Sequence, residues 1–155
     1  MKRMGDREEF ERCAEIVRGG CWSWFLTLKF PRVVSSKYPA IRCADAEEAF
    51  MVWFGEANSA YGRGPGKSPI PYVRVIEKKE TGDVLLHVLL NGVPDEMQWF
   101  WRHRWWELTS GGAWDRILDS RTEGLIRYLF YKQKCAVEYS ISYISTYCEA
   151  AKAEE

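Results

Sequence analysis

The chain has 155 residues, 46% hydrophobic and 15% aromatic, which is enough apolar material for one core without disulfides or a structural metal. Lys plus Arg and Asp plus Glu both total 22, so the net charge is zero and any nucleic-acid surface requires local segregation of charge. No apolar run approaches the roughly 18 residues that span a bilayer, and the charged start is unlike a secretory leader, so the expectation is a cytoplasmic protein with no membrane contact. Five cysteines, an odd number with no C-x-x-C pair and only two histidines as co-ligands, read as reduced thiols, most of them buried.

In chain order, Asp6 can cap a helix whose acidic first turn (Glu8, Glu9) suits the helix dipole. Phe10, Cys13, Ala14 and Val17 form one stripe of that helix, and Gly19-Gly20 stops it, so 1–21 reads as an N-terminal helical extension. Segment 22–30 alternates, with Trp24, Leu26, Leu28 and Phe30 on one side and Phe25, Thr27 and Lys29 on the other, until Pro31 ends a first strand. The spacing of Ala46, Ala49, Phe50, Trp53, Phe54 and Ala57 predicts an amphipathic helix over 45–61, and 62–71 is a loop by composition. Segments 72–79 and 84–91 flank Thr81-Gly82-Asp83 and predict an antiparallel hairpin. A tryptophan-rich helix over 95–107 follows, then a short strand over 114–118 after Gly111-Gly112 and a helix over 123–134 capped by Thr122. Alternation of Val137, Tyr139, Ile141 and Tyr143 with polar residues predicts a fifth strand, and 146–155 is a tail that should fray from Glu149.

This order predicts one α+β domain over 1–155, with its core in 22–145. The pattern is the ferredoxin-like, split β-α-β arrangement: an antiparallel sheet of four to five strands with helices packed on one face. The other face would stay open, a natural platform for single-stranded nucleic acid.

The segment Glu77-x4-Gly82-x2-Leu85-Leu86-His87-Val88-Leu89-Leu90 resembles the central motif of the HUH endonucleases, the rolling-circle replication initiators (Rep proteins) of small phages and plasmids. Phe25-Leu26-Thr27-Leu28-Lys29-Phe30 looks like that family's first-strand motif, and Tyr128-Leu129-Phe130-Tyr131-Lys132-Gln133-Lys134 looks like its tyrosine helix. The similarity runs in order over about residues 22–135. It implies Glu77 and His87 as ligands of a divalent metal, Mn or Mg, with Leu85 standing where the family carries its first histidine. It further implies nicking of single-stranded DNA, in which a tyrosine hydroxyl attacks a phosphodiester and leaves a 5′-phosphotyrosine link. Tyr131 and Lys134 match the family's Y-x-x-K spacing, whereas Tyr128, with Lys132, fits the surrounding apolar residues better. Both pairs lie one helical turn apart, and both remain candidates for nucleophile and assisting lysine. With Leu85 in place, the resemblance also allows an inactive relative that binds DNA or RNA, or dimerises.

Strand geometry adds a condition. Period two puts Leu85, His87 and Leu89 on one sheet face, and a three- or five-residue hairpin connection brings Glu77 to that face, whereas a two- or four-residue one sends it away. Arg63 and Lys67 in the 62–71 loop, and Arg102 and Arg104 among the rings of 98–106, are candidate phosphate contacts. On residue chemistry alone, His87 also reads as a satisfied core histidine and the helix tyrosines as packing residues. Most rings of 98–106 then belong to the core, with the remainder meeting a second copy in a homodimer.

Overall fold

The computed structural model describes residues 4–31, 41–62, 70–115, 124, 126–129 and 138–144. Five strands, β1 (Trp24–Lys29), β2 (Tyr72–Lys78), β3 (Val84–Leu90), β4 (Ala113–Asp115) and β5 (Glu138–Ile144), make one antiparallel sheet in the order β4-β1-β3-β2-β5. Three helices accompany it: α1 (Met4–Gly19), α2 (Cys43–Tyr61) and α3 (Gln98–Thr109), the last entered through a 3-10 turn at Asp95–Met97. Residues 124 and 126–129 are helical, inside the helix expected over 123–134. The mixed α and β class with an antiparallel sheet is therefore as expected. No helix of the described residues is long and apolar enough to cross a membrane.

The helices occupy both faces of the sheet, a correction to the expected single covered face. On one face, Trp24, Leu26, Leu28, Ile76, Leu86, Val88 and Leu90 pack with Phe50, Trp53 and Phe54 of α2 and Trp101 and Trp105 of α3. On the other, Phe25, Val73, Val75 and Leu89 pack with Phe10, Cys13, Ala14 and Val17 of α1 and with Ile126 and Leu129. The physical reason lies in the strands themselves. β3 reads VLLHVLL and is buried at every position, the near-continuous apolar run of a strand covered on two sides. Helix α1 already includes Met4, so Asp6 lies within the helix and is not its cap, and its apolar stripe supplies part of this second core. Of the described cysteines, Cys13 is buried, Cys43 half-buried and Cys21 exposed; Cys135 and Cys148 lie outside the described residues.

Buried tryptophans tie the layers, because each indole N–H taken from water needs an acceptor. Trp53 Nε1 donates to the Trp101 carbonyl at 2.8 Å, Trp105 Nε1 to the Lys29 carbonyl at 2.8 Å, and Trp24 Nε1 to Asp115 Oδ1 at 2.7 Å. Together these bonds hold α2 to α3, α3 to β1, and β1 to β4.

The turn from α3 into β4 is tight. Ser110 closes α3 in the left-handed region with φ of 61°, and Gly111 follows so close to β1 that a Cβ would fall 1.8 Å from the Lys29 carbonyl oxygen. Because that neighbour is backbone, Gly111→Ala forces the joint between β1 and β4 apart and should cost about 2 kcal/mol or more. Ser110→Gly removes left-handed strain and should gain up to about 1 kcal/mol. Thermal unfolding of the two variants should show shifts of opposite sign.

Candidate functional site: a buried Glu77–His87 pair

The β2–β3 hairpin has a five-residue connection, 79–83, with Gly82 at φ of 88°. Lys79 N–H donates to the Asp83 carbonyl, and Gly82 N–H to the Lys79 carbonyl, both at 2.9 Å, closing the turn. This length sets the register Glu77↔Leu85 and Val75↔His87, so Glu77, Leu85 and His87 share the α1 face of the sheet. The condition laid down by strand period is met.

Glu77 Oε1 lies 2.7 Å from His87 Nε2, and both residues are 1% exposed. From β1, Thr27 is the cross-strand partner of His87, and its Oγ1 lies 3.2 Å from His87 Nδ1. An ionised carboxylate only accepts, so the imidazole proton on Nε2 is donated to Glu77. The Thr27 hydroxyl can donate to a bare Nδ1 or accept from a protonated one, so this row accommodates both the neutral ring and the imidazolium. Tyr128 sets its ring edge-on to that of His87, with centroids 5.5 Å apart, and edge-on to Phe25 at 5.8 Å. Three separately placed motifs, on β1, on the hairpin and at 126–129, thus meet at one imidazole.

The donor set does not match a three-ligand metal centre. Among the described residues no three His, Cys, Asp or Glu side chains gather as potential ligands. Glu77 and His87 are bonded to each other, and Leu85, directly opposite Glu77, contributes a buried apolar side chain. A divalent ion coordinated by carboxylate and imidazole needs further oxygen or nitrogen donors, which Leu85 cannot supply.

The remaining candidates divide. Arg102 and Arg104 sit on α3, in the layer over the opposite face from Glu77 and His87. Arg102 Nη1 pairs with Asp115 Oδ2 at 2.8 Å, and Arg104 makes a two-pronged bond to Glu56 at 2.8 Å. Hydrogen bonding from Arg104 holds the Glu56 carboxyl below its ordinary range, against a smaller opposing effect of burial. Both guanidinium groups therefore brace structure. Tyr131, Lys132, Lys134, Arg63 and Lys67 lie outside the described residues. Thr27 is the residue that reasoning from sequence passed over; the signal available was its place on the Phe25 and Lys29 side of β1, a side the apolar character of β3 shows to be buried.

No protein-family model, no curated protein and no solved structure matches this chain.

Thr27→Val keeps the shape of the side chain and deletes the hydroxyl facing Nδ1. Urea unfolding should show a loss of about 1 kcal/mol with an unchanged m-value, the usual size for one buried hydrogen bond.

Proposed function

We propose that this chain is a Rep-like domain of the HUH type that binds single-stranded DNA without metal-assisted cleavage. The observation that carries the reading is the meeting of Glu77, His87 and Tyr128 on one sheet face, with the first two already bonded to each other beside Leu85. The strand order β4-β1-β3-β2, with α2 and α3 in the two connections, supports a ferredoxin-like split β-α-β core to which β5 is added beside β2. A cytoplasmic location belongs to the same reading.

A second reading, the tyrosine nickase, is favoured by one feature: the half-buried Tyr128 ring stands against His87. In that case the Tyr128 oxygen forms a bond to phosphorus and the bond from phosphorus to the leaving 3′ oxygen breaks. The two readings part at the covalent product.

A diverse pool of single-stranded oligonucleotides, incubated with the protein in EDTA or in Mn or Mg, should bind to the same extent in all three conditions and give no covalent adduct. A metal-dependent adduct that disappears in Tyr128→Phe would establish the nickase instead, and absence of any binding would overturn both readings. Leu85→His adds a third donor beside Glu77 and His87, and calorimetry should then detect Mn binding that the parent chain does not show.

A further inference from the structure

The outer side of the layer formed by α2 and α3 carries a ridge and a notch. On α3 the buried Trp101 and Trp105 fix the inward side, so Trp99, His103 and Trp106 stand outward. Trp99 meets Phe100 edge-on with centroids 6.1 Å apart, and His103 stacks on Trp106 at 5.5 Å, so the projecting rings are braced by their own neighbours. This is the ridge. On α2 the buried Phe50, Trp53, Phe54 and Ala57 turn Val52, Gly55 and Ser59 outward in the same way. Gly55 lies in the interior of a 19-residue helix, where glycine is less stable than alanine, yet a Cβ built on it would meet nothing within 4 Å. Packing among the described residues therefore does not call for glycine here, and the notch opens to solvent.

Met51, Val52, Trp99, Phe100 and Trp106 are 38–60% exposed. Given the size of such side chains, they leave roughly 500 Å² of apolar surface on this side of the layer. Each partner in a stable interface contributes about 800 Å², of which about 60% is apolar, so the patch has the extent that a dimer needs. The charges around it are matched within the chain. Arg104 crosses from α3 to Glu56 of α2 at 2.8 Å and lies 3.8 Å from Glu107, and Arg102 is bonded to Asp115. Phosphates or an acidic partner would compete with these acids, whereas a second copy lays one charge-balanced, ring-bearing face on another. A ridge and a notch on adjacent helices about 8–10 Å apart are also what a twofold axis makes self-complementary, since each ridge then enters the other notch.

We propose that the outer side of α2 and α3 is the interface of a twofold dimer, in which Trp99 and Trp106 of each copy sit over the Gly55 notch of the other. This side is turned away from Glu77 and His87, so dimerisation leaves the face of the proposed DNA site free, and either property can fail without the other.

Sedimentation equilibrium of the full chain, from micromolar to near-millimolar concentration, should show a monomer–dimer equilibrium. Gly55→Gln fills the notch with a residue that favours helix: it should weaken the dimer about tenfold or more while the thermal midpoint of the dilute monomer stays equal or rises. Trp99→Gln should weaken the dimer to a similar extent. Trp114→Gln removes an exposed ring on the other sheet face and should leave association unchanged. A chain that stays monomeric throughout, or a dimer that Gly55→Gln leaves unaltered, would overturn the proposal.

Discussion

The 2.7 Å hydrogen bond between Glu77 and His87 locks the register that the five-residue connection of the central hairpin sets. A carboxylate at 1% exposure is tolerated only where a partner meets it, so β2 and β3 have few ways to pair. A slip of β2 by one residue would turn Glu77 toward Trp53 and Phe50 and leave His87 on the α1 face without its carboxylate. The opposite face of β2 carries a matching device. Arg74, also 1% exposed, lies over the Phe50 ring and reaches Glu47 of α2 at 3.4 Å, so the same slip would send it to the α1 side. Apolar residues on both faces make β2 and β3 a good sheet centre but specify register poorly; two oppositely directed charged residues supply what they lack.

That register has a functional consequence. It brings the carboxylate under the imidazole, Thr27 to the imidazole's other nitrogen, and Leu85 opposite Glu77. In the family that the motifs resemble, an ion would organise these positions. Here one hydrogen bond between side chains does so, with an aliphatic neighbour in place of the third ligand. The pair is buried and bonded to itself beside an aliphatic side chain, an arrangement that favours the proposed DNA binding without metal-assisted cleavage over the nickase reading.

Much of this was legible in the sequence because strand period two is strict. The alternation of Trp24, Leu26 and Leu28 against Phe25 and Thr27 placed both faces of β1, and the stripe of Phe10, Cys13, Ala14 and Val17 named the buried side of α1. Glu77 and His87 were named together through the resemblance of the hairpin to a family motif, conditional on a hairpin length that composition alone does not fix; Gly82 at positive φ and the Lys79 to Asp83 bond close it at five residues. Two features were not legible. That both faces are covered is implied by the unbroken apolar run of β3, but that α1 and 126–129 supply the second cover is not encoded in any local pattern. The ion pairs of Arg102 with Asp115 and of Arg104 with Glu56 join residues far apart in the chain, so the ties they make between α3, β4 and α2 could not be read from the 98–106 segment itself.

The central claim is that Glu77 and His87 stabilise each other as a directly bonded buried pair, and a double-mutant cycle in urea tests it most directly. Glu77→Leu and His87→Leu should each cost about 3 kcal/mol by stranding the partner, and the double variant should cost far less than the roughly 6 kcal/mol sum, because both polar groups leave together. Additive losses within about 0.5 kcal/mol would show that the two residues act independently, and would contradict the account.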